Sequence, residues 1–211
     1  MNRSMILDFF GGVSQDGLSW AVDFDKVLYE LARWLVPIGI CLLAEGVGLE
    51  KWRKMEPLVC YRYTAVKVWW RHKFVRNLLN GILAAAVLFI TAMMIDIINI
   101  SGILEEGWKV FFLWFVHMIT IMSLFLVLDL TGLRKFAPAI LLLLEGFTFL
   151  VGFTYMGTVR LMFGMWGMYF QSRWYYDNTG VPVLSSLITE IVLIVLGYLA
   201  GGILLKKEAR K

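Results

Sequence analysis

Five apolar stretches divide this chain of 211 residues, each close to the roughly 20 residues that a helix needs to cross a bilayer. Charged residues make up only 17% of the chain and hydrophobic residues 60%, against about 25% and 45–50% in soluble domains. The alternating pattern of a membrane barrel does not occur. The sequence therefore predicts an all-α, polytopic helical membrane protein, a single transmembrane domain over residues 1–211. The expected spans are about 31–49, 78–100, 110–130, 136–157 and 184–205.

The basic residues predict how these spans are oriented. Eight Lys or Arg lie between Lys51 and Arg76, interleaved with Trp and Tyr, so the segment 50–77 is predicted to be cytosolic. The turn after the third span and the C-terminal tail are also basic and belong to the same side. The two remaining connections carry little positive charge and belong to the other side; they are 101–109 and 158–183.

This orientation puts the N-terminal segment, residues 1–29, outside the cytosol. Its four Asp against one Arg and one Lys permit translocation. A second possibility is that the segment lies along the membrane surface, anchored by Phe9, Phe10 and Trp20.

Several function classes find no signature in the sequence. The net charge of +4 resides in segments that face anionic headgroups, so it requires no nucleic-acid partner. Two histidines, His72 and His117, form no H-E-x-x-H motif, and no G-x-S-x-G or phosphate-binding G-x-x-x-x-G-K-[ST] motif occurs. We therefore expect no catalytic residue, no metal and no cofactor in this chain, and we expect that it is not itself an enzyme.

Polar residues inside the spans are the next candidates, because an unpaired one costs a few kcal/mol there. Glu145 lies near the middle of the fourth span and Glu190 about two turns into the fifth, so both are candidates for a functional or inter-helix role. His117 is expected to be a hydrogen-bonded packing residue. The remaining three lie near span ends, where headgroup water could reach them; they are Glu45, Asp96 and Asp129.

Two further stretches stand out. Residues 61–73 would form an interfacial helix that places Arg62, Trp69, His72 and Lys73 on one face. This helix is either a coupling element for a cytosolic partner or a lipid-anchoring loop. Residues 156–174 are too glycine-rich and polar for a span yet too apolar for an open loop, which is typical of a re-entrant or interfacial helix.

Methionine and aromatic residues in this second stretch can repack around varied apolar ligands. They are candidates for lining a substrate path, with simple interfacial packing as the alternative: Met165, Trp166, Met168 and Tyr169.

Together these features resemble the permease subunit of ABC exporters of the type-2 class. The resemblance rests on the pattern R-Y-x-x-x-x-x-W-W-x-x-K at residues 62–73, on Asp-Phe-Phe-Gly-Gly at 8–12, and on residues 165–170 and 180–183 before a last span with a basic tail. Such permeases usually have six spans, and this chain has five. It resembles a shortened variant, in which residues 1–29 could take over part of the missing span's role.

The resemblance implies an exporter in a bacterial plasma membrane that moves an amphiphilic peptide, lipid or hydrophobic drug. ATP and Mg would be used by a cytosolic P-loop ATPase, and a second copy of the chain or a related permease would complete the transporter among the membrane lipids. The implied ATPase-coupling residues are Arg62, Tyr63, Lys67, Trp69, Trp70, Arg71 and Lys73.

Two alternatives to transport remain open from the sequence. The chain could be a non-transporting membrane partner that assembles a larger complex. Less favoured is a membrane-embedded enzyme that uses Glu145 or Glu190 together with Asp129.

Overall fold

A computed structural model describes residues 4–14, 23–60, 66–99, 104–131, 133–154, 161–176 and 179–208; within these ranges, the side chains of 52–60, 66, 98–99, 104–105 and 206–208 are left out of the description. One short helix and five long ones make up most of this part of the chain. They are α1 (Met5–Phe10), α2 (Phe24–Cys60), α3 (Val66–Asn99), α4 (Leu104–Asp129), α5 (Ala137–Thr154) and α6 (Val183–Glu208).

The five long helices are each long and apolar enough to cross a membrane, which confirms the predicted all-α polytopic class. Their apolar sequences favour this state because a helix satisfies its own backbone hydrogen bonds, which lipid cannot do. The first span is much longer than predicted, since α2 begins at Phe24 and continues to Cys60.

The predicted cytosolic loop 50–77 is largely helical. α2 and α3 extend into it from both sides, and only residues 61–65 lie outside the described part. At 1.5 Å per residue, α2 and α3 are roughly 55 and 50 Å long, whereas the hydrocarbon core is about 30 Å thick. Both helices are therefore longer than the hydrocarbon core is thick, and an upright helix of either length would extend past it.

We call the end of the bundle that carries these projections the basic end. It contains the C-terminal ends of α2 and α6, the start of α3, and the turn between α4 and α5 at residues 130–136. The opposite end contains α1, the end of α3 and the start of α4.

Helix α4 is the central helix, packed against all the other five. Its interior face is buried along its whole length, from Val110 to Leu126. By contrast, α3 and α6 keep broad apolar faces exposed, as expected for helices that meet lipid or another apolar chain. The core of the bundle is thus organised around α4.

Residues 4–14 of the N-terminal segment pack into the end of the bundle opposite the basic end. The placement of residues 1–29 outside the cytosol or along the membrane surface stays a prediction. The Phe10 ring packs edge-on against Trp114 at 4.6 Å and Phe89 at 5.3 Å between ring centroids. Residues from 24 onward belong to α2, and residues 15–22 lie outside the described part. Helix α1 therefore packs between α3 and α4 and fills the opposite end of the bundle.

Residues 161–176, which we call the re-entrant segment, complete this closure with short 3₁₀ turns instead of a regular helix. The Phe170 backbone N–H donates to the Gly11 carbonyl at 3.0 Å, and the Gln171 side-chain amide donates to the Val13 carbonyl at 2.6 Å. Gly12 has φ of +83°, and a Cβ there would lie 2.5 Å from the Met168 side chain. Only glycine permits this close approach of α1 to the re-entrant segment.

Candidate functional site

A histidine between two glutamates lies at the centre of the bundle. The Nδ1 atom of His117, on α4, lies 2.6 Å from Glu190 Oε1 on α6. Its Nε2 atom contacts Glu145 Oε1 on α5. All three side chains are no more than 2% exposed. We call these residues the His–Glu cluster.

Helical geometry brings the cluster together because each member lies on the interior face of its helix. His117 is at the midpoint of α4 and Glu145 at the midpoint of α5, so the two meet at about mid-depth. Glu190 follows Ser186 on the buried stripe of α6, one turn apart. Both glutamates were candidates from the sequence, and the structure joins them through His117, which was expected to be a hydrogen-bonded packing residue.

The re-entrant segment covers the cluster from one side. The Phe163 ring lies 4.8 Å from the His117 ring, and a Cβ on Gly167 would lie 2.5 Å from His117 Cγ. The Gly164 backbone N–H donates to the Thr148 hydroxyl at 2.8 Å, and a Cβ on Gly164 would lie 2.7 Å from Glu145 Oε2. The segment therefore reaches mid-depth and seals the cluster with glycine backbone.

The four residues proposed from the sequence to line a substrate path all lie in this segment and are at least nine-tenths buried: Met165, Trp166, Met168 and Tyr169. Burial, together with the nearby Glu106 carboxylate of α4, raises the pKa of Tyr169 to about 12. These side chains fill the bundle in this conformation, so a substrate would meet them only after the segment moved.

A further buried carboxylate, that of Asp96, lies at the opposite end and caps α1. Its Oδ1 accepts from the Met5 N–H at 2.7 Å, and its Oδ2 accepts from the Ile6 N–H at 2.8 Å and the Ser4 hydroxyl at 2.5 Å. The sequence expectation that Asp96 meets headgroup water is therefore wrong. The missed signal was Ser4, a good N-cap residue directly before an apolar run.

Asp129, which was also expected to be near water, is buried at the basic end. It lies 3.7 Å from the Lys73 ammonium, whose nitrogen is 4.9 Å from the centroid of the Trp69 ring. Twelve residues of α4 separate Asp129 from His117, about 18 Å along the helix. The structure therefore does not bring Asp129 to Glu145 or Glu190, as the membrane-enzyme alternative required.

Glu45 is also buried, at 3% exposure, and lines a small pocket between α2 and α3 together with Lys73, Arg76, Asn77 and Asn80. The Asn77 amide is 1% exposed and has no hydrogen-bond partner among the described residues. Glu45, Lys73 and Asn77 are thus buried near this end of the first two spans, whereas Arg76 is exposed.

The coupling residues proposed from the sequence fall into two groups. Trp69, Trp70 and Lys73 are buried, and the Trp70 indole N–H donates to the Tyr198 carbonyl of α6 at 2.8 Å. Lys67 and Arg71 are exposed. Arg62 and Tyr63 lie outside the described residues. Trp70 therefore holds α3 against α6, and the exposed cations Lys67 and Arg71 remain accessible.

Chemically, the His–Glu cluster can hold and exchange protons, because all three side chains are titratable and each histidine nitrogen contacts a carboxylate. Among the described residues, no group of three or more His, Cys, Asp or Glu could hold a metal ion. These features define a multi-pass helical membrane protein with an ionisable cluster at its centre. No family model, curated protein or solved structure matched the chain.

Proposed function

We propose that this chain is the permease subunit of an ATP-driven exporter in a bacterial plasma membrane, coupled to a separate cytosolic ATPase. The observation that carries the proposal is the continuity of α2 and α3, each an unbroken helix from the basic end through its span. A force applied to the projecting ends would move both spans as rigid rods. This is the mechanical requirement for coupling ATP hydrolysis in a partner to movement within the membrane.

The exposed charges at the start of α3 support a docking role for the basic end. Lys67 and Arg71 are one helical turn apart and both exposed. Exposed cations of this kind contribute little to folding but steer association with an acidic surface. An ATPase with an acidic groove is the partner that fits.

The filled interior supports a transporter built from two permeases. Among the described residues, the centre of the bundle is occupied by the His–Glu cluster and the side chains of the re-entrant segment. A path for an amphiphilic peptide, lipid or hydrophobic drug would therefore lie between this chain and a second permease. The exposed apolar faces of α3 and α6 are available for that contact.

The proposal is tested by purifying the tagged chain from its native membrane in mild detergent and identifying its partners by mass spectrometry. We expect a stoichiometric P-loop ATPase that is lost when Lys67 and Arg71 are both changed to Glu. The matched control is Arg173→Glu, which reverses an exposed cation in the re-entrant segment and should retain the ATPase. Purification without any ATPase, or full transport by the doubly reversed variant, would overturn the proposal.

A second candidate is a non-transporting subunit that assembles a larger membrane complex. It is favoured by the closed opposite end, where α1 is bonded both to Asp96 and to the re-entrant segment. A disulfide engineered between α1 and the re-entrant segment separates the two candidates. Transport that persists with this tether in place would favour the assembly role, and loss of transport with the complex intact would favour the permease.

A further inference from the structure

We propose that the His–Glu cluster is an intramembrane proton-binding site that takes up one proton at the Glu145 carboxylate. The inference goes beyond the proposed exporter function and does not rest on it, because the site lies entirely within this chain. It is carried by the two contacts of His117, the burial of all three side chains and one carboxylate oxygen that no hydrogen bond satisfies.

The two contacts fix the number of protons in the cluster. A histidine nitrogen and a carboxylate oxygen at hydrogen-bond distance hold one proton between them, whichever atom carries it. Two such contacts hold two protons. An imidazolium between two carboxylates and a neutral imidazole beside one protonated carboxyl both satisfy this count, and both give the cluster a net charge of −1.

The surroundings do not balance this charge. Helix α2 contributes the Trp34 ring, stacked 6.4 Å from His117, and the re-entrant segment contributes the Phe163 ring and the backbone of Gly164 and Gly167. None of these groups ionises. Among the described residues, Glu145 and Glu190 are the titratable groups that we find facing His117.

The unsatisfied oxygen marks where a further proton binds. Glu145 Oε2 is buried and has no hydrogen-bond partner within the described part of the chain. A third proton on this oxygen would bring the net charge of the cluster to zero and remove the cost of an unbalanced charge at mid-depth. Because the three groups are strongly coupled, this proton belongs to the cluster as a unit.

A proton fits this position better than a metal cation. Hard cations such as Ca²⁺ and Mg²⁺ need about six oxygen ligands. The neighbour of Oε2 on the re-entrant segment is a glycine, whose N–H is already bonded to Thr148. The occupant that fits the site is therefore a proton.

The test is infrared difference spectroscopy of the full-length purified chain in lipid nanodiscs, recorded as the pH is lowered. We expect a carboxyl band from a protonated glutamate of the cluster to appear in apolar surroundings, separate from any band of the buried Glu45. Labelling with carbon-13 glutamate should shift this band, which separates it from the aspartates. If no glutamate carboxyl band appears across the pH range in which the protein stays folded, the proposal is overturned.

Two variants test whether the proton belongs to the His–Glu cluster. Glu145→Gln removes the accepting oxygen, and Glu190→Gln removes one negative charge so that the remaining imidazolium and carboxylate already balance. Both variants should lose the band, so the second keeps the test decisive if the first does not fold. The matched control is Glu45→Gln, which changes a buried glutamate outside the cluster and should keep the band.

The same variants define the result that would contradict the proposal. A band that persists in both folded cluster variants, or one that disappears in Glu45→Gln alone, would place the protonated carboxyl elsewhere and overturn the proposal. Because no ATPase is present in the nanodisc, this result is independent of whether the chain functions in an exporter.

Discussion

Asp96 and Glu145 are both buried carboxylates in membrane-spanning helices, and they differ in how completely they are satisfied. Asp96 accepts hydrogen bonds on both oxygens from three donors of the N-terminal segment. Glu145 has one oxygen on His117 and another without a partner among the described residues. The comparison teaches that burial alone does not indicate function. A carboxylate whose two oxygens both accept hydrogen bonds, such as Asp96, stabilises the fold. A carboxylate with one oxygen unbonded, such as Glu145, can still bind a proton.

The largest effect on stability is expected from His117→Leu. The change leaves the carboxylates of Glu145 and Glu190 buried without their partner, which costs about 3–5 kcal/mol. Reversible unfolding in mixed micelles of a denaturing detergent measures the loss. Changing all three cluster residues to Leu should restore most of the stability, because the charges leave together. Equal stability of His117→Leu and the wild type would mean that the cluster is not a coupled unit.

Asp96→Ala should have the next largest effect, confined to the opposite end. Each buried donor left without an acceptor costs about 1–3 kcal/mol, and undocking of α1 limits the total to roughly 2–3 kcal/mol. Hydrogen exchange should show that the amides of residues 5–10 lose protection. Asp96→Asn, which keeps one accepting oxygen, is the milder control. If these amides stay protected in Asp96→Ala, the comparison between the two carboxylates fails.

A smaller loss, about 1–3 kcal/mol, is expected from Gly164→Ala, because the new methyl group would press on the Glu145 carboxylate and displace the re-entrant segment. Thermal unfolding in detergent measures it. The matched control is Gly107→Ala in α4, where a Cβ would meet nothing within 4 Å. That change should stabilise the helix by roughly 0.5–1 kcal/mol. If both variants change the stability in the same direction, the segment and the cluster are not in close contact.

The smallest effect is expected from Lys67→Glu, which reverses an exposed charge. Unfolding in the same micelles should change by no more than about 0.5 kcal/mol, since surface substitutions rarely do more. Lys73→Glu, which places a negative charge beside buried Asp129, should be clearly destabilising by contrast. A comparable loss in both variants would mean that Lys67 is also structural and does not belong to a free docking surface.

The spans could be predicted from the sequence because the exclusion of polar residues from lipid is a local property of each stretch. The lengths of α2 and α3 could not be predicted from hydropathy, because the ends of both helices at 50–77 are polar. This segment was expected to be a loop, and it has no strong helix-stopping signal after Pro57. An interior proline usually kinks or ends a helix, yet α2 continues through both Pro37 and Pro57.

The site was predictable only in part, for a similar reason. Glu145 and Glu190 are conspicuous in apolar helices, but their meeting at His117 depends on how three helices rotate against one another. Asp96 and Asp129 lie near span ends, where hydropathy cannot distinguish contact with water from contact with a distant part of the chain. Asp96 bonds to Ser4, 92 residues away, and Asp129 pairs with Lys73, 56 residues away.

The capping of α1 by Asp96 also sets an order for how the chain assembles. Helix α1 meets the next helix, α2, through the ion pair between Asp8 and Arg33. Its other described partners come much later in the sequence: Asp96 and Phe89 on α3, Trp114 on α4, and Phe170 of the re-entrant segment. Docking of α1 can therefore begin against α2, but it is complete only when α3, α4 and the re-entrant segment are in place. Complete docking of α1 is a late step of folding.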